Sequence, residues 1–213
     1  MQFKHWVLTL FIIANTFSLF AGDSGFVDLL KKDENGNYTK HGWNHYGPGY
    51  FDLDNQTGVL LARKGSGLLW YAGKQFKNFI LELEFKTDDE RPNSGIYFRV
   101  PKVPANNDYL YQAFEIQICQ TCEGIHGTGA IYDAKAPDKP LKYNRPGEWN
   151  TYRIRCVDDS IYVDFNGEQV NAWKIVAPIG KIKEWSPEGY IGIQNYYTDH
   201  PIYFRNIRIK ELK

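Results

Sequence analysis

FEIQIC, residues 114–119, decides the fold. Apolar Phe114, Ile116 and Ile118 alternate with polar Glu115 and Gln117. A period of two marks a strand with one buried face, because successive side chains point to opposite sides of the pleat. The alternation recurs in FILELEFKT (79–87), SGIYFRV (94–100), NTYRIRCV (150–157), IYVDFNGEQV (161–170), EGYIGIQNY (188–196) and IYFRNIRIKEL (202–212). GYFDLDNQ, GVLLAR and GLLWYA add shorter runs ahead of these. Asn166-Gly167 predicts a type I′ hairpin, since both central positions of that turn need positive φ. About ten to twelve short strands with turn residues between them, and no amphipathic helix of three turns, predict an all-β sandwich of two antiparallel sheets. One short helical or 3₁₀ turn is expected near residues 28–32.

The alternation also assigns faces. Leu81, Leu83 and Phe85, then Ile96, Phe98 and Val100, then Phe114, Ile116 and Ile118, with Ile191 and Ile193, are expected to face the core. Burying each such side chain is worth about 1.5–3 kcal/mol, and a slip of one residue would expose them all. The opposite faces then carry Glu82 and Glu84, Tyr97 and Arg99, Glu115 and Gln117, and Gly192 and Gln194. If those strands are neighbours, one sheet presents a patch of carboxylates, amides, guanidinium and tyrosine.

Composition narrows the class. Among 213 residues, 43% are hydrophobic and 23% charged, an ordinary globular mixture that argues against disorder. Basic and acidic residues both number 25, so no basic surplus points to nucleic acid. Aromatic residues reach 16%, which suits sugar stacking and suits a β-protein equally.

The amino terminus, MQFKHWVLTLFIIANTFSLFAG, reads as a secretory signal. Lys4 and His5 precede an apolar run from Trp6 to Ile13, and Ala21-Gly22 offers a small-residue cleavage point. Asn15, Thr16 and Ser18 interrupt the run, whereas a membrane anchor needs about 20 apolar residues. The expected organisation is a signal over 1–22 and one domain over 23–213. The mature protein is expected to be exported, periplasmic or extracellular, and free of the membrane.

Cys119, Cys122 and Cys156 are the cysteines. CQTC has redox spacing, but it follows a strand into a Gly-rich loop and does not open a helix. Zinc would need more ligands than His126 nearby. A structural pair or free thiols is the expectation. Two long connections, 101–110 and 123–146, are the candidate functional loops, because long loops in compact domains usually carry function.

The order NSGIYFRV, FEIQI, TGAIYD, GEWNTYRI, YVDFNGEQV, GYIGIQN and IYFRNIRIKEL, preceded by GLLWYAGKQFKNFILELEFKT, resembles the 3-keto-disaccharide hydrolase domain family over residues 26–212. The resemblance implies a concanavalin-like jelly roll whose concave sheet presents a sugar site. It also implies action on glycosides whose glucose C3 is oxidised to a ketone. This chain departs from the family in reading CQTCEG after EIQI, and NYYTDH after GIQ, which displaces His200.

A C3 ketone acidifies the C2 proton. Cleavage by elimination then needs a base, a stabiliser for the enolate and an acid for the leaving group. Glu115 and Glu84 are the carboxylate candidates, and Arg99 the candidate stabiliser, its charge being permanent. Tyr132 and His126 are loop-borne acid or base candidates. Gln117, Asn93, Tyr97, Gln194 and Asn195 are the candidate sugar contacts. No cofactor is expected, a divalent metal is left open, and the expected partner is a small carbohydrate, with the oligomer unassigned. Two rival readings stand beside this one. One is a non-catalytic carbohydrate-binding module on the same fold. The other is an ordinary retaining glycosidase, which needs two carboxylates about 5–5.5 Å apart.

Overall fold

The structure is a computed structural model and describes residues 24–139, 141, 145–176, 179–196 and 199–213. The predicted signal segment lies outside the described residues. In chain order the strands are β1 (Val27–Asp28), β2 (Lys31–Lys32), β3 (Tyr38–Thr39), β4 (Trp43–Tyr46), β5 (Tyr50–Asp54), β6 (Val59–Arg63) and β7 (Gly67–Tyr71). There follow β8 (Phe79–Thr87), β9 (Asn93–Val100), β10 (Phe114–Cys119), β11 (Asn150–Val157), β12 (Ser160–Phe165), β13 (Glu168–Lys174), β14 (Tyr190–Asn195) and β15 (Ile202–Glu211). Two 3₁₀ turns, Asn107–Tyr111 and Gly124–His126, interrupt the long connections. The turn expected near residues 28–32 is instead two short strands, β1 and β2.

Two antiparallel sheets face each other as a jelly-roll sandwich. One runs β13-β12-β11-β8-β15-β6-β5, with β1 against β15, and the other runs β10-β9-β14-β7-β4. Phe79, Leu81, Leu83, Phe85, Tyr152, Ile154, Ile161, Val163 and Phe204 from the first sheet meet Ile96, Phe98, Phe114, Ile116, Ile191 and Ile193 from the second. The alternation of β8, β10 and β14 therefore assigns their inward faces correctly. Asn166 and Gly167 both have positive φ, 49° and 81°, and join β12 to β13 as a two-residue hairpin loop.

Two bulges alter the simple parity. On β9, Tyr97 pairs with Gly192 and Val100 with Tyr190, so two residues of β9 face one of β14. The extra residue shifts the pleat. Arg99 takes φ 56°, and Gly189 lets the chain approach there, since a Cβ on Gly189 would lie 2.4 Å from the Arg99 carbonyl carbon. On β15 the register shifts between Arg205 and Arg208, around Asn206 at φ 52°. That shift aligns Arg205 with Glu84 and Arg208 with Glu82.

The outer face of the five-stranded sheet divides into two regions. Loop 101–113 lays Tyr109 and Ala113 over Leu68, Trp70, Tyr97 and Val100, forming a second small apolar cluster. Beyond that cluster the sheet is open and polar, and the candidate site lies there.

Candidate active site

Glu115 is the centre of the site. Its strand, β10, pairs with β9 so that Glu115 lies opposite Tyr97, and Gln117 opposite Gly95. Because Gly95 has no side chain, the Glu115 carboxylate can lie down across β9. A Cβ on Gly95 would sit only 2.1 Å from Glu115 Oε1. The free edge of β10 is covered by the following loop, where the Tyr132 N–H donates to the Glu115 carbonyl (2.9 Å) and the Gln117 N–H to the Ala130 carbonyl (3.0 Å).

The carboxylate is 3% exposed and ringed by donors. The Tyr97 hydroxyl donates to Oε2 at 2.6 Å, and Lys181 Nζ stands 3.4 Å from the same oxygen. In the orientation that satisfies its neighbours, the Gln117 amide nitrogen donates to Glu115 Oε1 (3.2 Å) and to the Ser94 carbonyl (2.9 Å). Burial pushes the Glu115 carboxyl pKa up, while Lys181 and the Tyr97 hydrogen bond partly oppose the shift. Burial and then the neighbouring Glu115 charge push the Tyr97 phenol well above its ordinary value. Tyr132 shifts up for the same two reasons.

Above this floor opens a cavity of about 250 Å³, lined by Asn93, Glu115, Gln117, Tyr132, Lys181, Gln194, Asn195 and Tyr196, with Ser66, Asn107, Tyr109 and Leu110 completing the wall. Asn93 makes no side-chain hydrogen bond among the described residues, and Gln194 Oε1 is buried without a partner. Asn195 is already engaged, donating to the carbonyls of Arg63 (2.8 Å) and Tyr50 (3.3 Å). Lys181 Nζ lies 4.1 Å above the Tyr132 ring. His126 does not line the cavity. It packs on the far side of Tyr132, with ring centroids 4.9 Å apart and Nε2 3.5 Å from Asp133 Oδ1.

Tyr97, expected as a sugar contact, is fully buried beneath Glu115 and does not line the cavity, and Arg99 and Glu84 lie elsewhere. Arg99 is fully buried, aimed by the β9 bulge into the sandwich and not onto the polar face. It donates to the Asp158 carbonyl and stacks on Trp185 at 5.0 Å, while its Nε and Nη1 find no partner among the described residues. Val100 takes its place on the outer face. Desolvation lowers the Arg99 pKa. Glu84 is on β8, in the other sheet, so it and Glu115 occupy opposite outer faces of the sandwich. Its oxygens accept from Arg205 Nε (2.6 Å) and Asn206 Nδ2 (3.0 Å). Glu82 is 1% exposed between Arg153 and Arg208. Both glutamates belong to an ion-pair layer on the eight-stranded sheet.

Lys181, Tyr109 and Tyr196 escaped the sequence reading. Lys181 sits in the irregular segment between β13 and β14, where no periodicity marks an inward residue. Tyr109 belongs to a connection singled out for its length. Cys119 and Cys122 form a disulfide just beyond Gln117, whereas Cys156 is a buried thiol whose pKa burial pushes up to about 11. His200 stands 3.3 Å from Asp89 Oδ2, outside the cavity lining. Among the described residues no group of three or more His, Cys, Asp or Glu side chains could hold a metal ion, and no helix is long and apolar enough to cross a membrane.

The protein is thus a jelly-roll sandwich with a polar pocket floored by one buried glutamate. The chain belongs to the 3-keto-alpha-glucoside-1,2-lyase-like domain family, whose profile matches residues 25–210. Two crystal structures from Parabacteroides distasonis, both described as candidate glycosyl hydrolases, are similar to it. One is 28% identical with a TM-score of 0.70, covering 88% of this chain and 99% of its own. The other is 21% identical with a TM-score of 0.73, covering 89% and 94%, and shows the fold alone. A carbohydrate binding module from Bacillus subtilis, CBM66, shares the fold at 12% identity and a TM-score of 0.53, covering 80% and 96%. No curated protein matches the sequence.

Proposed function

We propose that this protein cleaves the glycosidic bond of 3-keto-glucosides by elimination, with Glu115 as the base. The observation that carries the reading is the state of Glu115: a carboxylate buried at the floor of a polar pocket, its pKa raised by that burial. A carboxylate with a raised pKa is a stronger base, closer to neutrality, where general-base catalysis is most effective.

The steps follow from the substrate's chemistry. Glu115 takes the proton from C2, and the electrons of that C–H bond form the C2=C3 double bond as the ketone oxygen becomes an enolate. The enolate collapses, restoring the C3 carbonyl and forming C1=C2 as the C1–O bond breaks. The leaving oxygen keeps the electron pair and takes a proton. Water adding across C1=C2 afterwards gives net hydrolysis. Lys181 takes the stabilising role that the sequence suggested for Arg99. Among the described residues its ammonium is the cation lining the cavity, and it stands beside the base where negative charge develops. Tyr132, half-buried beside Lys181, is the nearest donor for the leaving group. Asn93, Gln117 and Gln194 supply amides to sugar hydroxyls.

Cavity size supports a single ring as the bound unit. A cavity of about 250 Å³ has room for one pyranose ring. The leaving group then lies at the rim, near Tyr196, which is 47% exposed. Among the described residues Glu115 is the only carboxylate lining this cavity, so a two-carboxylate glycosidase mechanism lacks its second group among them. A sugar-binding role without turnover is the second reading, favoured by the free amides of Asn93 and Gln194.

The test incubates the purified protein with a 3-keto-glucoside and with the matching unoxidised glucoside, following release of the leaving group. Release from the keto sugar alone, with solvent deuterium entering C2, is the expected result. Release from the plain glucoside overturns the proposal, and binding without release supports the second reading.

A further inference from the structure

Lys181 reaches Glu115 through a long, flexible stem, so the position of its backbone sets where the ammonium stands. That backbone is fixed by one side chain. Asp133 Oδ2 accepts from the Lys181 N–H at 2.6 Å, a short charge-assisted contact. Gly180, at φ 46°, packs against the same residue so closely that a Cβ would lie 2.1 Å from the Asp133 carbonyl oxygen and 2.5 Å from Oδ2. The Ile182 N–H closes the turn onto the Ile179 carbonyl at 2.7 Å.

Asp133 is itself held in place. It adopts φ 59°, in the left-handed region that Asp and Asn tolerate better than most residues. Its N–H donates to the Ile125 carbonyl at 3.0 Å, and Oδ1 faces His126 Nε2 at 3.5 Å. The preceding residue, Tyr132, donates its N–H to the carbonyl of Glu115. Two adjacent residues therefore connect the strand that carries the base to the loop that carries the cation.

We infer that Asp133 is a positioning residue that sets the distance between Lys181 and Glu115. This rests on the reading that Lys181 and Glu115 form the reaction centre. Asp133 touches neither the cavity nor a substrate in it, and acts only through the Lys181 backbone. His126 gains a role in the same arrangement, as the group packed behind Tyr132 and Asp133, in place of the acid or base role the sequence allowed it.

The test reads the Glu115 carboxyl directly, by NMR titration of protein labelled with carbon-13 at the glutamate carboxyls. Tyr97, Tyr109, Tyr132 and Lys181 surround the group, and Lys181 is the surrounding cation that lowers its pKa. Lys181→Met should move the Glu115 midpoint upward. Asp133→Gly, which keeps the left-handed backbone easy but removes the carboxylate, should move it in the same direction. Asp133→Asn, which keeps an acceptor for the Lys181 N–H, should stay nearer wild type. Gly180→Ala, pushing the loop off Asp133, should reproduce the glycine variant. On a 3-keto-glucoside, Asp133→Gly should lower kcat by about 100-fold, the cost of misplacing a catalytic group by about 1 Å. An unmoved Glu115 midpoint in Asp133→Gly, in protein whose circular dichroism shows it folded, overturns the inference. So does an unmoved midpoint in Lys181→Met. If no keto sugar is turned over but the midpoints move as stated, the positioning stands and the proposed reaction fails.

Discussion

Gly95→Ala isolates the position of the Glu115 carboxylate without removing it. The new Cβ would sit 2.1 Å from Oε1, 2.6 Å from Cγ and 2.7 Å from Cδ, so the whole carboxyl end is obstructed. Restoring even a tight contact requires the carboxylate to retreat by about 1 Å. The Tyr97 and Gln117 hydrogen bonds that hold it span only 2.6 and 3.2 Å, so they stretch or break with that movement. A misplacement of about 1 Å costs about 100-fold in rate, or about 2.7 kcal/mol of transition-state stabilisation. The substitution itself suits a strand, since alanine is better than glycine there by about 0.5–1 kcal/mol. Stability is therefore measured beside activity, so that loss of fold and loss of turnover are separated. The assay is kcat/KM for leaving-group release from a 3-keto-glucoside, beside a melting curve. The double variant with Glu115→Gln should be no slower than Glu115→Gln alone, because both changes act through one group. A Gly95→Ala protein that works within threefold of wild type would refute the reasoning, and with it the placement of Glu115 as base.

Glu115→Gln should abolish release and raise the melting temperature at neutral pH. The folded state holds this proton more tightly than the unfolded chain, so native stability falls as pH rises from the ordinary carboxylate range through the raised folded pKa. The gain from glutamine should accordingly vanish on acidification below the ordinary carboxylate range; a gain that persists there contradicts the assignment. Arg99→Met should leave kcat within a few-fold of wild type, because the guanidinium lies inside the sandwich, and a large loss of kcat in folded protein would return Arg99 to the chemistry. Glu84→Gln should also spare turnover, while unfolding titrations report a loss of about 1–3 kcal/mol from its charged hydrogen bonds with Arg205 and Asn206.

Much of the candidate pocket's lining was readable from the sequence. The alternation of FEIQIC put Glu115 and Gln117 on the face away from the core, and that of YIGIQN put Gln194 there. The length of loops 101–110 and 123–146 flagged the segments that supply Tyr109 and Tyr132. Three features were not readable, each for a separate reason. Arg99 left the polar face because a bulge shifts the pleat by one residue, and nothing in SGIYFRV marks a bulge whose left-handed residue is not glycine. Glu84 separated from Glu115 because strand order is set by pairing across the whole chain. Lys181 joined the site from an irregular loop, where spacing carries no information about direction.

By itself, then, the sequence determined the all-β class, the inward faces of β8, β10 and β14, and the polarity of the face that bears Glu115. These depend on side-chain parity, which is local and repeats every two residues. The tertiary structure decided which sheet each carboxylate belongs to, that a lysine and not an arginine stands beside Glu115, and that an aspartate accepts from that lysine's backbone N–H. Those outcomes depend on contacts between residues far apart in the chain, such as Glu115 with Lys181 and Glu84 with Arg205, and on glycines whose missing side chains let the backbones approach.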